Sequence, residues 1–281
     1  VTGVQTCALP IFRPEPDWVT NMMAESQPVS HSERIVAVTG RTVFEQAQDL
    51  VSRLRSVEIA SKYRSRPRRT SLANGPCSMF HREALLEVGG FDPTWYHAED
   101  MEVSLRLLDA GGTIVYAPNA LVRHVPETGM RHFLAKRKRD ARAHVRIVRH
   151  FPRRKRRGPG FDFLGSSSMV LCLLPLWLAI FFAGVPFGIA YASGNITDPM
   201  SSLHVWEVQI LSVSLLLLMV HELLLWRGPL GVVNREVMRS TTGSKLLAMV
   251  GVRRLTIRWS LALWHGLLLG LLDALLKRNG H

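Results

Sequence analysis

Residues 89–100 read GGFDPTWYHAED, and residues 101–112 continue as MEVSLRLLDAGG. Two glycines open a turn, aromatic residues crowd it, and two adjacent acids, Glu99 and Asp100, stand where a helical run begins. In that run Met101, Leu105 and Leu108 share one face, and Gly111-Gly112 end it. Acids in a first helical turn accept hydrogen bonds from free backbone N–H groups and complement the helix dipole, for about 0.5–2 kcal/mol. Capping is therefore one reading of the pair. Chemistry is the other, because a carboxylate beside a cleft can take a proton from an incoming hydroxyl.

Working outward, PCSMFHREALLEVGG reads as a strand followed by a short helix that stops at Gly89-Gly90. TIVYA and ALVRHV read as strands around a Pro118-Asn119 turn, the second ending near His124. Upstream, PEPDWVTNMMAES is a short helix opened by Pro16-Asp17, and RIVAVTGRTV is a β-branched strand. VFEQAQDLVSRLRSVEIASKYR carries Val43, Ala47, Leu50, Val51 and Leu54 at helical spacing. Residues 13–130 are thus expected to be a mixed α/β region.

The next segments change character. No charged side chain occurs from Phe163 to Thr197, more than the roughly 20 apolar residues that cross a bilayer. A second apolar run covers about 207–226. The link between them, SGNITDPMSS, holds no Lys or Arg, whereas both outer flanks are basic. The positive-inside rule then predicts two spans over 161–228, with both flanks in the cytoplasm. A third span over 258–278 would strand Lys277-Arg278 outside. Residues 229–281 are therefore expected to stay cytoplasmic, with 258–278 an interfacial helix.

The 281-residue chain has a net charge of +13. Nearly all of that excess lies in 131–158, with thirteen Lys/Arg against one acid, Asp140. Leu134, Ala141, Val145 and Val148 would make one face of a basic amphipathic helix over 131–160. Placed just before a membrane entry, such a helix points to anionic lipid headgroups. It lacks interleaved stacking aromatics, so nucleic acid is not the expected partner. Cys7, Cys77 and Cys172 form no metal-ligand spacing.

Residues 74–124, NGPCSMFHREALLEVGGFDPTWYHAEDMEVSLRLLDAGGTIVYAPNALVRHV without its final Val, resemble the acceptor half of a family 2 glycosyltransferase of the GT-A fold. The shared pattern is a small-residue strand, an Arg-led helix, Gly-Gly-Phe-Asp, Glu-Asp heading a helix with an internal Arg, a hydrophobic strand and a His. RPEPDWV (13–19) resembles the segment that follows the family's metal-binding Asp-x-Asp. The resemblance implies a partial, Rossmann-like GT-A domain followed by a helical transmembrane region. It implies inverting transfer from a nucleotide-sugar donor to a lipid-linked or glycan acceptor at the cytoplasmic face of the inner membrane. It implies Asp100 as base, with Glu99, Trp95, Gly90 and Phe91 on the acceptor side and Gly75 near the donor. His124 would help hold a divalent cation, Mg2+ or Mn2+. Arg106 is expected instead to be a structural partner of Asp92 or Glu102. Processive members carry Gln-x-x-Arg-Trp ahead of their membrane helices, and 125–160 has none, which implies transfer of single sugars.

Residues 1–11, VTGVQTCALPI, resemble a translated sequencing adapter, so 1–12 is expected to be a leader foreign to the fold. The nucleotide-binding half would then be missing and the chain inactive alone. A non-catalytic membrane-anchored protein, with the Glu-Asp pair a helix cap and the basic segment on anionic lipid, remains the alternative.

Overall fold

The computed structural model describes residues 11–28, 33–64, 66–95, 97–151, 165–193 and 205–278. Residues 1–10 of the leader expected over 1–12, Tyr96, the basic residues 152–158 and the link 194–204 lie outside them. The chain divides into two compact units, residues 1–163 with 267–281, and residues 164–266.

The first unit is built on a mixed sheet. Strands β1 (Phe12–Pro14), β2 (Ile35–Phe44), β4 (Ser78–Phe80) and β5 (Thr113–His124) take the order β1-β5-β2-β4, and β3 (Arg69–Thr70) also pairs with β5. β2 and β5 are parallel and form the centre of the sheet; the other pairings are antiparallel. Val36, Ala37 and Val38 of β2 are all buried, as expected for a strand covered on both faces. Helices α1 (Trp18–Glu25), α2 (Leu50–Arg64), α3 (Arg82–Glu87), α4 (Glu99–Asp109) and α5 (Met130–His150) surround it. One core cluster joins β2 and β5 to α3 and α4 through Val36, Ala84, Val103, Leu107 and Ile114.

The structure redraws three expectations here. Phe12 belongs to the fold: it opens β1 opposite His124 and packs on that ring at 4.7 Å. The helix expected from Val43 starts at Leu50, because Val43 and Phe44 finish β2. Asp49 then marks the start, its carboxylate accepting from Val51 N at 2.9 Å and Ser52 N at 3.2 Å. The two strands expected around Pro118-Asn119 are one strand with a bulge. Between Thr39 and Arg41 of β2 the partners jump from Tyr116 to Leu121. Pro118, which has no N–H to give a ladder, sits in that interruption.

The basic helix α5 also departs from expectation. Its buried positions are Phe133, Arg137, Ala141, His144, Arg146 and Ile147, while Val148 is exposed. The apolar face predicted from Leu134 and Val148 assumed lipid on one side and water on the other. Protein covers the Phe133–Ile147 face of α5, and several of its cations are used inside the unit. Arg137 pairs with Asp140 at 3.1 Å, and Lys136 lies 3.5 Å from Glu127. Arg142 makes a two-point contact with Asp273, at 2.5 and 2.9 Å, on the last helix of the chain.

The second unit is helical. It holds α6 (Gly165–Leu171), α7 (Leu173–Ala192), α8 (Val205–Arg227), α9 (Pro229–Ser240) and the first two thirds of α10 (Lys245–Leu275). The helix breaks at Cys172 because Pro175 cannot donate to the carbonyl four residues back, that of Leu171. Trp264 fills the gap, its Nε1–H donating to Leu171 O at 2.9 Å. Arg253 on α10 holds Glu222 on α8 with two contacts of 2.8 Å. Among the described residues, three segments are long and apolar enough to cross a membrane: Met169–Pro186, Val208–Arg227 and Lys245–Leu275. The third is one unbroken helix of 31 residues, longer than the 258–278 segment expected from sequence.

The β5 bulge runs over Gly40, where an added Cβ would fall 2.2 Å from Ala120 O and 2.6 Å from Cys77 Sγ. Backbone cannot retreat as a flexible side chain can, so Gly40→Ala should destabilise the first unit by about 1–3 kcal/mol. The check is a lowered Tm of the purified protein; an unchanged Tm would show that the bulge is free to move.

Candidate active site

Helix α4 begins with a sharp reversal. Ala98 has φ 62° and ψ 28°, the left-handed region that a residue with a Cβ occupies at a cost of about 1–2 kcal/mol. After this reversal Glu99 is exposed and Asp100 is turned partly inward. Asp100 Oδ2 accepts from Gly75 N at 3.1 Å, and Oδ1 accepts from Met101 N at 2.8 Å. One turn on, the Ser104 hydroxyl donates to Asp100 O at 2.5 Å and accepts from Ala73 N at 3.0 Å. The start of α4 is thus stitched to the 73–75 loop at two points.

Asn74 fixes that loop to the sheet. Its Oδ1 accepts from the Thr39 hydroxyl at 2.9 Å, its Nδ2 donates to the Tyr63 hydroxyl, and its carbonyl accepts from Ser78 at 2.6 Å. Next to this hub, a cavity of about 320 Å3 is lined by Arg41, Thr42, Phe44, Ser56, Tyr63 and Arg64, among others. Asn74, Tyr63 and Thr39 were not singled out from sequence. Asn beside Gly-Pro reads only as a turn, and nothing in a one-dimensional pattern shows a hydroxyl from a helix meeting one from a strand.

Burial is the main influence on the Asp100 carboxyl, and together with the neighbouring Glu99 charge it pushes the pKa up, against the backbone N–H bonds that favour the anion. A carboxyl held above its ordinary range is a stronger base once ionised. Folding stability tied to this group is present below its unfolded pKa and is lost as pH rises through the folded one.

The other expected residues divide into two sets. Gly89 and Gly90 have φ of 84° and 71°, which glycine adopts without strain, and the turn they make presents Phe91, 47% exposed, edge-on to Phe80. Arg106 fixes this turn: it grips Glu102 at 2.5 and 2.7 Å and donates to the carbonyls of Val88 and Gly90. Glu102 is the partner it was expected to have. Trp95, by contrast, is no exposed lip. It is 6% exposed, packs with Met101, Leu105, Ile147 and Phe151, and carries the Arg146 guanidinium 3.9 Å above its ring. The ring is buried because α5 covers it, and the contact was invisible while α5 read as a lipid-facing helix.

His124 stands at the far end of β5, opposite Phe44, whereas Asn74 is anchored at Thr39, five residues earlier on β2. Its ring stacks on Phe44 at 4.2 Å. Nδ1 lies 2.7 Å from the Val125 carbonyl, which can only accept, so Nδ1 carries the hydrogen and Nε2 is the lone-pair nitrogen. Burial chiefly lowers its pKa, which keeps the ring neutral. A neutral Nε2 suits a metal, but the described residues contain no group of three His, Cys, Asp or Glu able to hold one. These described residues do not make a divalent-cation site by themselves.

The electrostatics can be read without turnover. A carboxyl-carbon NMR titration of Asp100 should give a midpoint above the ordinary value of about 3.9. Glu99→Gln removes a like charge and should move that midpoint down. A midpoint unaffected by Glu99 would show that the two acids do not share a field.

The family described as "Glycosyl transferase family group 2" matches residues 19–276. The pre-mycofactocin glycosyltransferases of two Mycobacterium tuberculosis strains are each 41% identical to this chain over 54 residues, which is 19% of this chain and 12% of the relative. The match therefore covers about an eighth of the length of these relatives. A GT-A-like mixed sheet, a Glu-Asp pair opening α4 beside a glycine loop, and a match through both units agree: the chain belongs to glycosyl transferase family group 2.

Proposed function

We propose that this chain contributes the acceptor side of an inverting sugar transfer from a nucleotide-sugar donor to a lipid-linked or glycan acceptor. In this reading Asp100 is the base. It takes the proton of the acceptor hydroxyl as that oxygen bonds to the anomeric carbon from the face opposite the leaving group. The bond from that carbon to the diphosphate oxygen breaks, and its electron pair leaves with the nucleoside diphosphate. Glu99 and Phe91, both exposed, flank the acceptor's approach, while Gly90 and Trp95 hold the surrounding backbone.

The observation that carries the reading is the contact between Asp100 and Gly75. A pure cap would spend both oxygens on its own helix; Oδ1 does so at Met101 N, but Oδ2 reaches a different loop. Gly75 itself has no steric need to be glycine. Its φ lies outside the left-handed region, and an added Cβ would meet nothing closer than Asp100 Oδ2 at 3.8 Å. Folding does not demand glycine there, which favours close approach by a ligand as the reason for it.

The remaining parts of the reading are the membrane and the cation. Apolar α7 and α8 would each cross the inner membrane, leaving 194–204 outside and the sheet unit in the cytoplasm by the basic flanks. His124 would serve a divalent cation only together with groups beyond the described residues. Anionic lipid would meet the arginines of α5 that stay exposed, such as Arg131 and Arg139.

In the full-length gene product, Asp100→Asn should lower kcat by about 10²–10⁴-fold while the fold persists. The acid limb of the wild-type kcat/KM profile should lie above the ordinary carboxylate range, because the base acts only when ionised. Gly75→Ala should leave Tm unchanged and reduce transfer. Wild-type turnover by Asp100→Asn would overturn the assignment.

A further inference from the structure

Length and composition leave α10 as a third candidate span, and the contacts at its end bear on whether it crosses. Its last part belongs to the same compact unit as the sheet and α5. There Asp273, 6% exposed, receives Arg142 through two contacts of 2.5 and 2.9 Å. Arg149 donates to Ala274 O at 2.8 Å, and Gly270 sits so close to α5 that a Cβ would fall 2.7 Å from Arg142 O. The end of α10 and the whole of α5 therefore lie on one side of any membrane. A chain that starts and finishes on one side crosses an even number of times. The three candidates among the described residues are too many by one.

The odd one is α10. α7 contains no charged residue, and α8 has acids only at Glu207 and Glu222 with Arg227 at its end. α10 carries Arg253, Arg254, Arg258 and Asp273 within its length. Its surface is also two-sided. Val252, Leu255, Trp259 and Leu263 are buried at spacings of three and four, so protein covers that face. Leu246, Val250, Ile257, Leu261, Leu268 and Leu272 are exposed at alternating spacings of four and seven, a single stripe along nearly the whole helix. Leucine in such a stripe faces water only at a cost of about 1.5–3 kcal/mol per side chain relative to burial.

We propose that α10 does not cross the bilayer but lies along the headgroup boundary of the leaflet facing the sheet unit, with the Leu246–Leu272 stripe as its lipid-contacting face. Arg254 and Arg258 flank the stripe, where snorkelling would carry them to lipid phosphates while their stems stay on apolar surface. The inference rests on α7 and α8 as the two spans, and its test keeps the two claims apart.

Topology reporters would be placed in the full chain after His281, within 194–204, and in the 126–128 loop. The C-terminal reporter should report the same side as the one at 126–128; the opposite side overturns the proposal. A 194–204 reporter on that same side would sink the two-span reading, and lipid contact by α10 would then rest on a second measurement. For it, a genetically encoded fluorescent amino acid replaces Leu261 in proteoliposomes of zwitterionic and anionic lipid. Bromine near the headgroups should quench it, and bromine near the bilayer midplane should not. Midplane quenching means a crossing helix. No quenching by either means water or a second copy of the chain on the stripe, and both results overturn the proposal.

Discussion

Buried arginines must be paired, and the first unit is arranged around three of them. Arg55 on α2, and Arg137 and Arg146 on α5, are all buried. Burial opposes the charge on Arg55, but Glu58 and Glu127 outweigh it and hold the guanidinium above its ordinary value. Glu58, fully buried, belongs to α2, while Glu127 comes from the segment between β5 and α5. A buried pair of this kind adds little net stability, yet losing one partner costs about 3–5 kcal/mol because a charge is left without its counterpart. The effect is to fix register. α5 cannot slide on α2 without stranding Glu127, and β5 cannot leave its line without moving the segment that carries Glu127.

The same constraint reaches the candidate base. Arg146 donates to Thr94 O at 2.8 Å and lies over Trp95, whose ring packs on Met101, the residue after Asp100. On the opposite side Arg106 holds the Gly89-Gly90 turn through the Val88 and Gly90 carbonyls. Asp100 is thus located through two arginines that hold the turns around it. A cation beside the carboxylate would lower its pKa and weaken it as a base, whereas burial and Glu99 raise it.

Much of this was legible in the sequence where local pattern and tertiary need coincide. The strand at Ile35, the short helix ending at Gly89-Gly90, and α4 all follow from periodicity and turn residues, and the Arg106–Glu102 pair follows from an i,i+4 relation on α4. The misplacements have one physical cause, contacts between segments far apart in sequence. Val43 carries helical spacing but is held in β2 by pairing with Arg123, as Phe44 is by pairing with His124. Trp95 looks like an exposed aromatic until Arg146, 51 positions later, closes over it. The apolar face expected of α5 missed Phe133 and Ile147, because a charge pattern does not say whether its counter-charges are phosphates or carboxylates. Asp273, 131 residues from Arg142, supplies one such answer from inside the chain.

Arg142 and Arg146 stand four residues apart on α5, one helical turn, and they face different partners. The first meets the end of α10 through Asp273; the second meets the loop before α4 through Thr94 and Trp95. A helix is stiff over one turn, so about 6 Å of rigid backbone holds the end of α10 and the loop leading into Asp100 to the same stretch of α5. Neither can move along that stretch without stranding its arginine, and the start of α4 is therefore positioned by contacts made far from it in sequence.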